Sequence, residues 1–296
     1  MAHRVDDLRR ELESATGRRL APAPVTPFNG DAAAQSLRWE SAAGPLFVKI
    51  AAASRRAGFD AEAAGLAELA SAAAVSVPAV LGTGARGELS FIALEWLDLA
   101  AGSRAAEARL GERLAMLHRV VAPAFGWHRD NTIGPTPQVN DWMTDWPAFF
   151  VQRRLLPQLG LAERRGEGSA LLDAGHELCD QVPLFFSSYR PVPSLLHGDL
   201  WGGNWGVDRL DRPYVFDPAV YYGDREADLA MTHLFGGFGP PFHAAYQASW
   251  PLDPAAGTRR TLYNLYHVLN HAHLFGGGYG AQALAMMQRL AAEIGH

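Results

Sequence analysis

The chain has 296 residues, 48% of them hydrophobic and 19% charged, with a formal net charge of −5. That length suits one large or two medium domains around a sizeable core, and the negative balance argues against partners such as nucleic acid or an anionic membrane. One cysteine, Cys179, excludes an internal disulfide and a cysteine zinc site, and its apolar helical surroundings make it a small core hydrophobe. No apolar signal core opens the chain, and no segment is long and uncharged enough to span a membrane, so a cytoplasmic location is expected.

Residues 3–15 place Val5, Leu8 and Leu12 at helical spacing among charges, which predicts a short amphipathic helix. Prolines 22, 24 and 27 forbid helix and suit an edge strand or extended segment. Phe28-Asn29-Gly30-Asp31 is a turn signal. Residues 35–40 and 46–50 predict two strands joined by a turn at 41–45. Lys49 interrupts the apolar run of the second strand, where an unpaired charge would cost desolvation. It is either an edge-strand gatekeeper or a lysine that positions phosphates while paired with a carboxylate on the next helix. That helix covers residues 59–69, with Glu62 the favoured partner and Asp60 and Glu68 its competitors. Residues 77–82 and 89–97 predict two more strands. The second runs into a hinge at Glu95 to Leu97, whose backbone would hold an adenine ring. The expected fold is α+β, two-lobed and protein-kinase-like. Residues 1–97 form a nucleotide-binding lobe with a small antiparallel sheet and one helix, and residues 98–296 form a larger, mostly helical lobe for catalysis and substrate binding.

Residues 103–120 predict a helix with Leu110, Leu114, Leu117 and His118 on one face, His118 being a satisfied core or groove residue. Gly, Pro and Asn should keep residues 125–138 irregular, and a long polar-aromatic loop of this kind is often functional. Residues 141–150 open a helix running to about 161, with core aromatics, and residues 167–187 predict another. Residues 262–290 are helical, broken at Gly276-Gly277-Gly278.

The chemistry concentrates in Leu195-Leu196-His197-Gly198-Asp199-Leu200-Trp201-Gly202-Gly203-Asn204, followed by Tyr214-Val215-Phe216-Asp217-Pro218. His-Gly-Asp alone would be turn chemistry. The ordered set is what phosphoryl transfer from a nucleotide needs. Asp199 accepts a hydroxyl proton, while Asn204 and Asp217 hold Mg²⁺ on the phosphates of ATP. Mg²⁺ takes hard oxygen ligands and keeps water elsewhere, so one amide and one carboxylate suffice as protein ligands. Asp228, at the start of an apolar helix, favours the helix dipole and in such a site braces the catalytic-loop backbone from below.

With these residues the chain resembles the fructosamine (ketosamine) kinase family, within the aminoglycoside-phosphotransferase-like branch of the kinase fold. The resemblance covers nearly the whole chain. It rests on Phe125-Gly126 with Asp130-Asn131 and Ile133-Gly134, on Gln138-Val139-Asn140, on Asp145-Trp146 with Phe149-Phe150, and on the His197 to Asn204 stretch. It rests further on the run from Phe216 to Met231, which includes Asp217-Pro218-Ala219-Val220-Tyr221-Tyr222-Gly223-Asp224-Arg225-Glu226, and on Leu269-Asn270-His271 with Phe275-Gly276. The resemblance implies ATP-dependent phosphorylation of a sugar hydroxyl on a small-molecule or protein-bound ketosamine. The 3-phosphate product then sheds the sugar, so that the activity is a deglycation. It also implies sugar-side contacts by Trp201 and His271. Family members often carry a more Gly-rich nucleotide loop, some with a cysteine. Here Asn29-Gly30-Asp31-Ala32-Ala33-Ala34 has one glycine and no cysteine, which removes that redox switch and weakens the expected phosphate cradle.

Two other readings compete. One is a kinase for another hydroxylated metabolite or an aminoglycoside. Polycationic aminoglycosides are disfavoured because residues 229–296 carry only Asp253 and Glu293 as acids. The other is a non-catalytic nucleotide-binding protein. The choice of sugar and amine and the oligomeric state are not encoded in any motif.

Overall fold

The computed structural model describes residues 2–22, 26–28 and 34–294. The turn and nucleotide loop expected at residues 29–33 lie outside them. Helix α1 (Ala2–Thr16) precedes strands β1 (Thr26–Phe28), β2 (Gln35–Trp39) and β3 (Leu46–Ala52). Helix α2 (Arg56–Ser71) and strands β4 (Val80–Arg86) and β5 (Leu89–Glu95) complete the first lobe. The five strands form one antiparallel sheet in the order β1-β2-β3-β5-β4. β1, which contains Pro27, takes the edge position that a missing N–H donor allows.

Alternation along the strands sorts this lobe into two cores. Leu46, Val48, Ile50, Phe91 and Ala93 pack with Leu8 and Leu12 of α1 on one face. Ala51, Ile92 and Leu94 pack with Phe59 and Leu66 of α2 on the other. Both helices therefore belong to this lobe, one on each face. β4 begins three residues later than the sequence predicts and runs through Gly82-Thr83-Gly84. A Cβ at Gly82 would lie 2.8 Å from the Ala15 carbonyl oxygen, so glycine there lets the α1 backbone close on the strand.

The second lobe starts with α3 (Arg104–Leu117), capped by Ser103, whose Oγ accepts the Ala106 N–H at 3.1 Å. The 125–138 stretch is not wholly irregular, contrary to expectation. It folds into a tight hairpin of β6 (Asn131–Ile133) and β7 (Thr136–Gln138) around Gly134-Pro135. Side-chain amides make this possible by replacing long ladder pairing. Gln138 Nε2 and Asn140 Nδ2 donate to Asn131 Oδ1 at 2.8 and 2.9 Å, and Asn131 Nδ2 donates to Val220 O at 2.7 Å. Tyr266 donates to Gln138 Oε1 at 2.7 Å, and Thr136 to Asn270 Oδ1 at 2.7 Å.

Helices α4 (Trp146–Phe150) and α5 (Leu156–Arg165) are joined through a π-helical turn at Val151–Leu155. Pro157 is the reason, because its ring cannot donate to the Arg153 carbonyl, which accepts instead from Arg154 Nη1 at 2.9 Å. Trp146, Phe149 and Phe150 are buried, as expected of core aromatics. Cys179 lies buried in α6 (Ser169–Gln181), its thiol pushed up to about 12 by burial and then by the Asp180 charge. Strands β8 (Ser194–Leu196), β9 (Trp205–Val207), β10 (Pro213–Val215) and β11 (Tyr221–Gly223) pair as β8–β11 and β9–β10. Helices α7 (Glu226–Leu234), α8 (Pro240–Ser249), α9 (Ala256–Phe275) and α10 (Tyr279–Ile294) close the chain. No helix among the described residues is long and apolar enough to cross a membrane.

Candidate active site

The two lobes enclose a cavity of about 930 Å³, within the usual range for a small-molecule site. Of the nine residues singled out from the sequence, eight line it: Lys49, Glu62, Glu95, Leu97, Asp199, Trp201, Asn204 and Asp217. His271 is not among the described residues that line it. Its Nδ1 lies 2.8 Å from His267 O one turn back, and its ring packs against Phe235, Phe275 and Tyr279.

Strand alternation explains Lys49. Val48 and Ile50 face α1, so Lys49 faces α2 and the cavity. On α2, Glu62 follows Phe59 by three residues and precedes Leu66 by four, so it shares their sheet-facing stripe. Lys49 Nζ meets Glu62 Oε1 at 2.9 Å and Asp217 Oδ1 at 2.5 Å. The competitors are engaged elsewhere. Asp60 holds Arg56 at 2.8 Å and Thr83 at 2.6 Å, and Glu68 accepts the Tyr222 hydroxyl at 2.7 Å. Lys49 is no edge gatekeeper, since β3 is interior to the sheet. Burial alone would pull its ammonium down, but Asp217 and Glu62 hold it above its ordinary value. Burial pushes the Glu62 carboxyl up, against the pull of Lys49 and with the Asp217 charge adding to it.

β8 and β10 deliver the two acidic loops, and the loops are laced together by backbone. Ala219 N–H donates to His197 O at 2.9 Å and Phe216 N–H to Asn204 O at 3.0 Å. Gly198 has φ +83°, and a Cβ there would overlap the Ala219 carbonyl oxygen, so only glycine fits. Asp217 takes a left-handed conformation with φ 55°, a turn that aspartate tolerates. Asn204 Nδ2 donates to Asp199 O at 2.8 Å, leaving its Oδ1 as the acceptor of that amide.

Beneath the loop, Asp228 is 2% exposed. Its carboxylate accepts the backbone N–H groups of His197 at 2.7 Å and Gly198 at 2.8 Å, and lies 3.2 Å from His118 Nε2. His118 Nδ1 reaches the Tyr246 hydroxyl at 2.8 Å, so this histidine is a satisfied core residue. Burial by itself would raise Asp228, but the His118 hydrogen bond and charge, with His197 and Gly198, keep it below the usual carboxylate range. His197 is held neutral by burial, its Nε2 on Phe216 O at 3.0 Å and its Nδ1 accepting the Asp199 N–H at 3.3 Å.

The charged run that follows Asp217 is structural. Asp224 accepts the Tyr263 and Tyr189 hydroxyls at 2.6 and 2.9 Å. Glu226 takes both arms of Arg259 at 2.8 and 2.9 Å, and Arg225 donates to Pro251 O and Trp250 O. Sequence reasoning passed over Arg55, Asp98, Asn131, Thr132 and Arg209, all of which line the cavity. Asn131 appeared only among the family matches, as the Asp130-Asn131 pair, with no role attached to it. Arg55 and Arg209 look like ordinary solvated charges until the fold places them.

Among the described residues no group of three or more His, Cys, Asp or Glu forms a metal cluster. The site offers instead the Asn204 amide oxygen and the Asp217 carboxylate beside the cavity. These are hard oxygen donors that fit a Mg²⁺ ion completed by water and phosphate.

Residues 5–293 match the family model described as fructosamine kinase. The chain is 43% identical over 244 residues to a protein named probable ketoamine kinase in Synechocystis sp., covering 82% of each chain. It is 37% identical to the chloroplastic protein-ribulosamine 3-kinase of Arabidopsis thaliana, covering 97% of this chain and 88% of that one. A solved structure from Thermobifida fusca, assigned as a fructosamine-3-kinase, superposes with a TM-score of 0.86 at 32% identity, covering 97% and 99% of the two chains. A complex of aminoglycoside phosphotransferase APH(4)-Ia with ADP and hygromycin B shares the fold at a TM-score of 0.68 and 15% identity. The chain belongs to the fructosamine kinase family.

Proposed function

We propose that the protein is an ATP-dependent kinase that phosphorylates a sugar hydroxyl of ketosamines, in the manner of a fructosamine or ribulosamine 3-kinase. The observation that carries this reading is the convergence of Lys49, Glu62, Asp199, Asn204 and Asp217, drawn from four separate segments, on one cavity between the lobes. Residues 1–97 act as the nucleotide-binding lobe and residues 98–296 as the catalytic and substrate lobe.

Asp199 is the base. It sits on a loop held rigid from below by Asp228, and it takes the proton of the acceptor hydroxyl as that oxygen bonds to the terminal phosphorus and the bond from that phosphorus to the bridging oxygen breaks, releasing ADP. Lys49, fixed by Glu62, positions the phosphates, and the Glu95 to Leu97 backbone receives the adenine. Asn204 Oδ1 and the Asp217 carboxylate would hold a Mg²⁺ ion, which would neutralise charge on the phosphate oxygens. Trp201, 39% exposed at the cavity wall, offers a flat apolar face to the sugar. His271, packed against Phe235, Phe275 and Tyr279, is the second sugar-side residue of this reading.

The test is ATP consumption with Mg²⁺ on a panel of small fructosamines and ribulosamines, wild type beside Asp199→Asn. Turnover of one substrate, reduced about 10²–10⁴-fold in the variant with nucleotide binding intact, supports the reading. Nucleotide binding without turnover on any member of the panel refutes it.

A further inference from the structure

Three cations line the cavity among the described residues: Lys49, Arg55 and Arg209. Lys49 is committed to Glu62 and Asp217, and Arg209 to Asp98 at 2.5 Å. Arg55 forms no salt bridge among the described residues, although the Glu62 carboxylate is near enough to feel its charge. Two backbone oxygens of the β6–β7 turn hold its guanidinium, Pro135 O at 3.1 Å from Nη1 and Gly134 O at 3.3 Å from Nη2. Carbonyl oxygens orient a guanidinium without neutralising it, and these two bonds leave other N–H groups of the planar fork available. The cavity wall thus presents an oriented positive charge.

The sheet register places that charge. Leu46 of β3 pairs with Glu95 at the hinge, Lys49 pairs with Ile92, and Ala52 pairs with Leu89. At about 3.3 Å per residue, Lys49 lies roughly 10 Å from the hinge end and Ala52 roughly 20 Å. Arg55 ends the 3-10 turn Ala53–Arg55 that follows Ala52, so it lines the cavity from the end remote from the hinge. A nucleotide with its base at Glu95 to Leu97 and its phosphates running past Lys49 directs the last phosphate toward Arg55.

We propose that Arg55 binds the terminal phosphate of the nucleotide, an assignment that rests on the ATP-dependent reading given above. A guanidinium fork matches two phosphate oxygens, and a charge-assisted pair of this kind is strong in a partly enclosed site. The sequence supplies a reason for the need. With one glycine in Asn29-Gly30-Asp31-Ala32-Ala33-Ala34, few backbone N–H groups can turn onto phosphate at low cost. A side-chain cation supplies what such a loop lacks. The bonds to Gly134 and Pro135 also span the cleft, so occupancy by phosphate would draw the β6–β7 hairpin and α2 together.

The experiment is calorimetric titration of wild type, Arg55→Gln and Arg55→Lys with AMP, ADP and a non-hydrolysable ATP analogue in Mg²⁺, alongside thermal melting. Arg55→Gln should weaken the ATP analogue about ten- to a hundredfold and change AMP and ADP less than about twofold. Arg55→Lys should recover part of the loss, since it keeps the charge and loses the fork. Equal weakening of all three nucleotides with a lowered melting temperature would make Arg55 a lobe tie and overturn the assignment. Unchanged analogue affinity would overturn it too, including the case in which only the KM of the acceptor rises. Wild type that binds none of the three nucleotides refutes the kinase reading and the Arg55 role with it, whereas full binding by both wild type and Arg55→Gln refutes the Arg55 role alone.

Discussion

Asp228→Asn should destabilise the protein by about 3–5 kcal/mol, the range for removing one partner of a buried charged set, and should release the backbone at Asp199. Two carboxylate oxygens serve three groups here: the N–H of His197 at 2.7 Å, the N–H of Gly198 at 2.8 Å and His118 Nε2 at 3.2 Å. The side chain is 1% exposed, so water cannot substitute. Asparagine is isosteric but has one oxygen and one NH₂, so at least one N–H must face another donor. Losing a hydrogen bond to a charged group costs about 1.5–3 kcal/mol, and stranding its buried partner about 1–3 kcal/mol. A loss of this size lowers the melting temperature by roughly 5–8 °C in a chain of this length. Urea denaturation measures the energy, and amide exchange at His197 and Gly198 measures the local opening. The acid limb should change as well. The Asp228 carboxyl is held below its ordinary range in the folded state, so its contribution is present above that range and disappears as pH falls through the lowered value. The variant should lack that loss. A cost below about 1 kcal/mol, with both amides still protected, would refute the claim that Asp228 supports the catalytic loop.

Three further outcomes are expected. Lys49→Met leaves Glu62 and Asp217 facing each other without their cation, so the affinity for a non-hydrolysable ATP analogue should fall at least about tenfold; calorimetry that shows wild-type affinity would remove Lys49 from the nucleotide site. Gly198→Ala forces a Cβ onto the Ala219 carbonyl at φ +83°, which should cost about 2–4 kcal/mol of stability by denaturant titration; a neutral result would mean that the two loops are not packed as described. His267 is buried, and burial lowers its imidazole from 6.5 to about 3. The unfolded chain therefore binds a proton that the folded chain refuses, so stability is full above about 6.5 and falls as pH drops toward 3. His267→Gln should flatten the melting-temperature profile in that window, and an unchanged slope would place the acid sensitivity elsewhere.

Residue order alone determined much of this protein. The α1 helix, the edge strand at Pro27, Lys49 within a strand, Glu62 on the helix after it and the pairing of an Asp199–Asn204 loop with Asp217 all follow from local periodicity and from what phosphoryl transfer requires. Local rules could be read because their causes lie within a few residues. The family motifs were visible as letters, but their roles were not. Gln138, Asn140 and Asn270 serve a buried amide network, and the charges from Asp224 to Glu226 serve buried pairs with Tyr263 and Arg259. Partners such as these are separated by intervals as different as 7, 39 and 134 residues, and no regular sequence spacing marks them. The same reason explains the misreadings. The β6–β7 hairpin is held by amides rather than by strand propensity, and β4 starts late and runs close against α1 at Gly82. Which of three cations in one cavity forms no salt bridge among the described residues was decided by tertiary packing alone, because the cavity that groups them exists only once both lobes are in place.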